Sequence, residues 1–502
     1  MSRPRAWLTA ALVGALAITA ACGSAPAGDP AKTLSVGATA EPPTLDPTAS
    51  SAAAIPQVLL YNVYEGLVKL DGKGKIQPLL AKSWTESADR RTYIFHLRAG
   101  ITFSNGDPLT STDVLFSFDR VIAPKSNHPF KAQMAPVRTV TAAGPETVVV
   151  QLKQPSNNWL FSLTGTVGIV YDRNAIGTIA TKPVGSGPYT FRSWVHGTSI
   201  TLDRNRHYWG KPAELDRVVF RYFSDPNAMN NYLLTDQLDV ISNVQAPQTI
   251  PEFSDRSKYT VDDGTTNGEV VLALNNSRGP LRDKRVRQAI NYAIDRKALV
   301  KTAWAGYGTL IGSMVPPTDP WYQNLSGRYP YDPAKAKRLL AQAGYAKGFS
   351  LQLKLPTLPY ATAAGQVVAS ALGQLGIKVH ISELEFPARW LDVVFTKADY
   401  DMSIVSHVEP RDIVQYGNPS YYWRYRSPQV TRWLAEADAG SPQQQITIMR
   451  RVARQISDDA ASDWLFLLPN LMVERTGVTG IPVNAVSLSF DVTAARKASD
   501  DG

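Results

Sequence analysis

Residues 349–383 read FSLQLKLPTLPYATAAGQVVASALGQLGIKVHISE, and this stretch decides the class of fold. Its first seven residues alternate apolar and polar side chains as a β-strand does, and the alternation returns at 377–381. Between them, 361–375 carries apolar side chains at helical spacing. A strand, a helix and a second strand in this order predict a right-handed crossover between parallel strands.

The same alternation of strands and helices extends on both sides of this stretch. Toward the C-terminus, 389–397 has the spacing of a helix and 401–408 that of another strand. Toward the N-terminus, 332–344 predicts a complete helix, because Asp332 suits its cap, Pro333 its first position and Gly344 its end. We therefore predict a mixed α/β protein with at least two lobes and a largely parallel sheet here.

Short strands dominate the N-terminal half of the chain. We predict strands where side chains alternate, a helix after a polar cap, and a further helix where an apolar run has helical length. The predicted strands are 33–37, 92–98 and 147–152, and the predicted helices are 58–68 and 112–120.

The start of the chain has the pattern of an export signal. Arg3 and Arg5 precede the apolar run 8–21, which ends in small residues and is followed at once by Cys22, the only cysteine. The run is shorter than the ~20 apolar residues that span a bilayer. We predict that 1–21 is a lipoprotein signal peptide and that Cys22 carries the lipid, although Thr19 stands where Leu or Val is commoner.

Composition limits the possible partners. The 502 residues are 44% hydrophobic and 19% charged, which is enough for two or three packed domains. The formal net charge of +9 falls to +7 once the two arginines of the leader are removed. The densest basic cluster, 282–287, contains an acid, and we interpret it as a solvated helix face. We expect no nucleic-acid partner, because no basic face with base-stacking groups is evident.

Five further blocks occur in order over most of the chain. They are 61–68 (YNVYEGLV), 80–110 with LAKSW, TYIFHLRAG and FSNGDPLT, 185–189 (GSGPY), 205–210 (NRHYWG) and 274–296 with LNN and LRDKRVRQAINYAIDR. Together they resemble the extracytoplasmic solute-binding proteins of peptide- and nickel-type ABC importers, family 5. Each block is weak alone, whereas the ordered set is specific.

The resemblance implies an α/β, periplasmic-binding-protein-like fold of type II, a two-lobed Venus flytrap with an extra mixed α/β domain. It implies a monomer that delivers a solute to an ABC permease driven by ATPase subunits, and not an enzyme. The predicted boundaries are 1–21 for the signal peptide, 22–32 for the anchor linker, 33–59 plus 184–268 plus 476–502 for lobe I, 60–183 for the extra domain, and 269–475 for lobe II.

The predicted ligand site is the loop after the strand that ends at Ser406. Ligands of open α/β sheets bind beyond the carboxyl ends of strands, and this loop contains His407, Glu409, Arg411 and Asp412. In peptide-binding relatives an aspartate of this loop meets the ligand's α-ammonium. The resemblance assigns that role to Glu409, with Asp412 as the alternative. The other interpretation is a solvated loop in which Arg411 pairs with one of the two acids.

Two further features bear on the ligand. The aromatic residues Tyr421, Tyr422 and Trp423 either line the pocket or cover the core of the lobe. Dipeptide-selective relatives carry an arginine before a helix of the second lobe, and the matching tract 353–360 has none, although Lys354 is close. This departure argues against a strict dipeptide register and favours a longer peptide or a non-peptide solute.

Three functions other than oligopeptide capture are compatible with parts of the sequence. A nickel or metal-chelate binder is disfavoured because no pair of the six histidines has ligand spacing and only His407 lies in the predicted site. An exported hydrolase is disfavoured because the chain has no GxSxG or HExxH motif and because its one thiol is predicted to carry the lipid. A pair of carboxylates, as in glycosidases, is the hydrolytic arrangement that the sequence leaves open. A sensor or adhesin would differ only in lacking a permease. We expect no metal and no cofactor.

Overall fold

The computed structural model describes residues 30–498. The predicted signal peptide and Cys22 lie outside the described residues, so they stay predictions. No helix within 30–498 combines the length and the apolar character that crossing a membrane requires.

Strands supply most of the regular structure in the first half and alternate with helices in the second. In chain order they are β1 (Thr33–Ala38), β2 (Val68–Leu70), β3 (Ile76–Pro78), β4 (Ala81–Glu86), β5 (Thr92–Leu97), β6 (Val137–Ala142), β7 (Thr147–Leu152), β8 (Tyr189–Val195), β9 (Ser199–Arg204), β10 (Arg217–Tyr222), β11 (Val240–Ile241), β12 (Tyr259–Gly264), β13 (Glu269–Leu274), β14 (Ser350–Pro356), β15 (Lys378–Leu384), β16 (Met402–His407), β17 (Ser462–Leu467), β18 (Asn470–Arg475), β19 (Val478–Thr479) and β20 (Arg496–Lys497).

The α-helices are mostly short, and several of them, such as α2 and α8, pack on the sheets. They are α1 (Ala54–Leu59), α2 (Ser111–Ile122), α3 (Trp159–Ser162), α4 (Pro226–Leu234), α5 (Lys284–Ala293), α6 (Arg296–Ala303), α7 (Pro333–Gln342), α8 (Pro359–Gly373), α9 (Ala388–Trp390), α10 (Pro428–Ala439) and α11 (Pro442–Asp458). α9 continues as the π-helix Leu391–Thr396. The predicted helix at 332–344 forms as α7, where the Asp332 side chain accepts a hydrogen bond from the Lys335 amide.

One sheet collects strands from distant parts of the chain and forms the first lobe. Its order is β12-β18-β11-β1-β10-β9-β8. β1 is parallel to β10 and β11, and the other neighbours are antiparallel. β18 lies inside the range predicted for lobe II, 269–475, yet it pairs in this sheet. The other predicted boundaries stay a prediction.

The extra domain is built on an antiparallel sheet of order β4-β5-β7-β6. β5 and β7 alternate buried and more exposed residues, which is the pattern from which both strands were predicted. α2 covers the sheet and starts with a capping box, in which Thr110 and Asp113 satisfy each other's amides. Trp159 of α3 packs on the same core, 4.9 Å between ring centroids from Tyr93.

The second lobe is a sheet of order β15-β14-β16-β13-β17. The quoted stretch forms β14, α8 and β15, and β14 runs parallel to both β15 and β16. β13 is antiparallel to β16 and β17, so the sheet is mixed and the prediction of a largely parallel sheet is wrong. The reason is topological: β13 and β17 enter from the first lobe and from α11, and not through the β–α–β crossovers that the local pattern reveals.

Two chain segments join the lobes side by side. One leads from β12 to β13 and the other from β17 to β18. Thr266 ties them together, because its hydroxyl donates to the Leu468 carbonyl at 2.6 Å, and the Leu468 amide donates to the Gly268 carbonyl at 2.8 Å. A pair of short crossing segments is the arrangement about which two lobes can rotate as a hinge.

The segment 58–68 is not a helix, contrary to the prediction. α1 ends at Leu59, and Tyr61 adopts a left-handed φ of 66°, which ends helical geometry. Residues 60–67 are all buried where the first lobe meets the extra domain. A segment that is enclosed on every side has no solvent-facing positions to impose a polar period, and its pattern therefore carries no information about helix or strand.

The basic cluster 282–287 is only partly the solvated helix face that was predicted. Arg287 on α5 is 6% exposed, and its guanidinium donates to carbonyl oxygens. The acceptors are Ala460 (3.0 Å), Leu281 (2.8 Å), Arg282 (3.2 Å) and Asp459 (2.9 Å). Arg287 therefore fixes the chain that follows α11 against the start of α5, and its charge is satisfied internally.

Three of the sequence blocks meet at one buried carboxylate, Glu65. Its oxygens accept hydrogen bonds from the Ser186 hydroxyl (2.8 Å), the Tyr208 hydroxyl (2.8 Å) and the Trp209 indole N–H (2.9 Å). Burial raises the pKa of Glu65 to about 7 even though these donors lower it. The carboxylate joins the extra domain to the first lobe.

Candidate functional site

A cavity of about 480 Å³ lies between the extra domain and the second lobe. Phe130, Trp159 and Phe161 line it from the extra domain. Glu409 and Arg411 line it from the loop after β16, and residues 487–488 close a third side. The volume falls within the range of small-molecule sites, ~300–1,000 Å³. The predicted loop therefore faces a cleft whose other wall belongs to another domain.

His407 ends β16 and anchors the base of this loop. Its Nδ1 is hydrogen-bonded to Asp412 Oδ2 at 2.5 Å, and its Nε2 is hydrogen-bonded to the Tyr422 hydroxyl at 2.7 Å. Burial lowers the pKa of His407, but the charge and the hydrogen bond of Asp412 outweigh it, and the net shift is upward. His407 and Asp412 are both buried and hold the loop rather than line the cavity.

Glu409 is the acid of the loop that reaches the cavity. It is partly buried, and the Val408 amide donates to its Oε2 at 3.3 Å. Burial raises the pKa of Glu409, and the charge of Asp412 raises it further, whereas His407 lowers it. A carboxylate held in such surroundings gains from a cationic partner, which a ligand ammonium would supply.

A further acid lies behind the loop. Glu269 at the start of β13 stands opposite His407 in the sheet and is 2% exposed, and its Oε2 has no hydrogen-bond partner. Burial raises the pKa of Glu269 well above its usual value, and the neighbouring Asp412 and Asp319 add to this shift. Sequence reasoning missed Glu269, because only the antiparallel pairing of β13 with β16 brings it to this edge.

Arg411 does not pair with the acids of its own loop. Among residues 30–498 it forms no ion pair. The alternative interpretation, in which Arg411 pairs with Glu409 or Asp412, therefore does not describe the structure. Its guanidinium lies 3.7 Å from the ring centroid of Phe161 and 5.1 Å from that of Trp321. Arg411 has a left-handed φ of 62°, which turns its side chain across the cleft toward the extra domain.

The aromatic tract lies in the core of the second lobe. Tyr422 and Trp423 are fully buried, and Trp423 stacks on Tyr416 at 4.1 Å between ring centroids. Tyr421 packs on Trp423 at 4.4 Å. Within 30–498 the residues that line the cavity do not include these three. The sequence left open whether these aromatic residues line the pocket or cover the core of the lobe. Their placement agrees with the second interpretation.

The aromatic wall of the cavity comes instead from α3 and its neighbours, which sequence reasoning missed. Trp159 and Phe161 sit in an apolar stretch that looks like an ordinary core segment of the extra domain. No local pattern distinguishes them, because they border the cavity only where the second lobe packs opposite, and the Trp159 side chain itself is buried in the core of its domain.

The contact between 156–158 and 437–440 joins the two sides of the cavity and is called the clamp below. The extra domain contributes mainly donors and the C-terminal end of α10 contributes acceptors. The hydrogen bonds run from the Asn157 amide to the Asp438 carbonyl (2.8 Å), from Asn157 Nδ2 to the carbonyls of Ala437 (2.9 Å) and Gly440 (2.8 Å), from the Ser156 hydroxyl to Asp438 Oδ2 (2.7 Å), and from the Asn158 amide to Asp438 Oδ1 (2.9 Å).

A metal ion would have a limited donor set here. His407, Glu409 and Asp412 offer ligand atoms that all lie within 4.8 Å of one another. Both ring nitrogens of His407 are already hydrogen-bonded, so coordination by its imidazole would break the bond to Asp412 or to Tyr422.

The family model for bacterial extracellular solute-binding proteins, family 5 middle, matches residues 75–425, well over half of the chain. The chain belongs to this family. It is therefore a substrate-binding protein of ABC importers, which captures a solute for a permease, and it is not an enzyme. The predicted family and the two-lobed α/β fold are confirmed.

Known relatives of this family 5 protein differ in the ligands for which they are named. The glutathione-binding protein GsiB of Escherichia coli (strain K12) is 31% identical over 360 residues, which are 70% of this chain and 69% of that protein. Heme-binding protein A of Haemophilus influenzae is 32% identical over 343 residues, 60% of this chain and 61% of that protein.

A solved structure shows the same fold over nearly the whole length. The periplasmic binding protein DppA from Helicobacter pylori in complex with peptide STSA superposes with a TM-score of 0.84. The match covers 93% of this chain and 98% of that one at 23% identity, a level at which it supports the fold of the family 5 protein alone.

Proposed function

We propose that this chain is a lipid-anchored receptor on the extracytoplasmic face of the cell membrane that captures oligopeptides between its lobes. Glu409 carries the proposal: it is a partly buried carboxylate on a loop that faces the cavity between two domains, with a buried acidic group behind it. Such a group is suited to bind the α-ammonium of a peptide. Apolar and aromatic walls accept varied side chains, and hinge closure over the peptide would present it to the permease.

The amine role of Glu409 is tested by the variant Glu409→Gln, which keeps the shape and removes the charge. We expect it to weaken binding of peptides with a free N-terminus at least about tenfold, since a charge-assisted hydrogen bond in a partly buried site is lost. Binding of the N-acetylated forms of the same peptides, already weak, should hardly change. Isothermal titration with both peptide sets measures the difference.

The matched control is Glu436→Gln, which removes an exposed carboxylate of α10 in the same lobe. It should leave both affinities unchanged. An equal loss for free and acetylated peptides in Glu409→Gln would contradict the amine role, although it would leave the family assignment intact.

A non-peptide solute or a nickel or metal chelate is the second candidate. The three clustered ligand atoms of His407, Glu409 and Asp412 favour it, and the names of the relatives include glutathione and heme. Native mass spectrometry of the freshly purified protein distinguishes the candidates, because a peptide and a metal complex differ in mass and isotope pattern.

The lipid anchor has its own test in the variant Cys22→Ala. We expect wild-type protein expressed in its host to sediment with membranes and the variant to appear in the soluble extracytoplasmic fraction, because one thiol is the acceptor for the lipid. Immunoblotting of the two fractions measures the shift. A variant that still sediments with membranes would rule out Cys22 as the anchor.

A further inference from the structure

The cavity has few charged groups on its walls. Within 30–498 the charged residues that line it are Glu409, Arg411 and Asp438. Asp438 is already engaged in the clamp, because each of its carboxylate oxygens accepts a hydrogen bond from the extra domain. One anion and one cation therefore stay available to a ligand.

The available cation is held in a fixed position. The Arg411 guanidinium lies over Phe161 and near Trp321, and its Nε is buried without a hydrogen-bond partner. A guanidinium that stacks through its flat face keeps the N–H groups of its edge free for a planar acceptor. Asp319 and Asp438 attract Arg411 through space, yet neither forms an ion pair with it.

A ligand carboxylate matches this geometry. Carboxylates accept two parallel hydrogen bonds from the edge of a guanidinium, and a buried charged donor that lacks a partner is costly until one arrives. Burial lowers the pKa of Arg411, which reflects the same cost. An ammonium at Glu409 and a carboxylate at Arg411 would each meet a group of opposite charge.

We propose that Arg411 binds a carboxylate of the ligand, so that this protein selects short zwitterionic peptides. The inference rests on the proposed function, since it takes the peptide amine to lie at Glu409. The carboxylate is the C-terminus of the peptide or an acidic side chain. Arg411 thereby supplies, from the loop after β16, the anion partner that the tract 353–360 lacks. The cavity volume suits a short peptide rather than a long extended one.

The test uses the full-length protein and a synthetic library of di- to tetrapeptides made from Ala, Leu, Lys and Asp, prepared as free acids and as C-terminal amides. Native mass spectrometry identifies the peptides that bind. We expect wild type to favour free acids over amides at least tenfold. If Asp-containing amides bind with the same affinity as the free acids, the Asp side chain is the source of the carboxylate.

Two variants and a control separate recognition from structure. Arg411→Gln should abolish the preference for free acids, and Arg411→Lys should keep part of it, because an ammonium attracts the anion without the planar match. Arg389→Gln removes an exposed arginine of the same lobe and should keep the wild-type ratio. A merely looser fold lowers binding of both forms and leaves their ratio unchanged.

The outcomes distinguish this inference from the proposed function. If wild type binds acids and amides of the peptides that lack Asp equally, or if Arg411→Gln keeps the wild-type ratio, the role of Arg411 is overturned while peptide capture stands. If wild type binds no member of the library, peptide capture fails, and the inference fails with it.

Discussion

Arg287→Met should lower the free energy of unfolding by at least about 4 kcal/mol. The replacement keeps much of the volume but removes the donors that satisfy the carbonyls of Leu281, Asp459 and Ala460. Hydrogen bonds to charged groups are worth about 1.5–3 kcal/mol, and a buried acceptor left unpaired costs about 1–3 kcal/mol. These costs arise at one point, where the chain leaves α11 and where α5 begins.

Urea unfolding followed by circular dichroism measures the loss. The matched control is Arg285→Met on the same helix, where the guanidinium is exposed and pairs with Asp283. An exposed ion pair contributes at most about 1 kcal/mol. Equal losses in the two variants would mean that the buried guanidinium does not hold this junction.

Glu65→Ala should be nearly as costly, with a loss of about 3 kcal/mol or more. It leaves the hydroxyls of Ser186 and Tyr208 and the indole N–H of Trp209 without their acceptor. Glu65→Gln is the conservative partner, because its amide oxygen can accept from Ser186 and Trp209 while its NH₂ donates to the Tyr208 oxygen. We expect it to cost less than about 1 kcal/mol at low pH.

The pH dependence of stability tests the same carboxylate. The pKa of Glu65 is raised to about 7 in the folded protein from 4.5. The folded state therefore holds this proton more tightly, and its contribution to stability is full below pH 4.5 and is lost as pH rises to about 7. Over that window wild type should lose roughly 3 kcal/mol relative to Glu65→Gln. A constant difference between the two proteins across this range would contradict the buried, titrating carboxylate.

Much of the fold follows from local patterns in the sequence. Alternation and helical spacing identify β14, α8 and β15 because each presents one face to a core and another toward solvent. The helix prediction for 58–68 fails for the opposite reason, because this segment is enclosed on all sides and has no outer face. The antiparallel entry of β13 and the position of β18 in the other sheet depend on long-range pairing that no local window contains.

The residues around the cavity also include some that the sequence predicts and some that it does not. The position of the loop after β16 at the cavity was predictable because the loop follows a strand end and because Glu409 and Arg411 stand out there as charges. Asp412 is adjacent to the cavity-lining Arg411, and Tyr422 and Trp423 follow soon after the cavity-lining Asn418, yet these three side chains are buried in the lobe. Sequence proximity gives no direction to a side chain on an irregular loop. Phe161 and Glu269 reach the site only through contacts between distant segments.

The chemistry of the clamp affects how this protein could diversify. Most of the acceptors that α10 offers to Asn157 are main-chain carbonyls, which every residue type provides. Substitutions along that end of the second lobe would therefore preserve the closing contact as long as the helix still ends at the same place. Ser156, Asn158 and Asp438 of the clamp line the cavity together with Phe161 and the loop after β16. Substitutions of Phe161 or of the loop after β16 would change the cavity wall while the main-chain acceptors of the clamp stay in place.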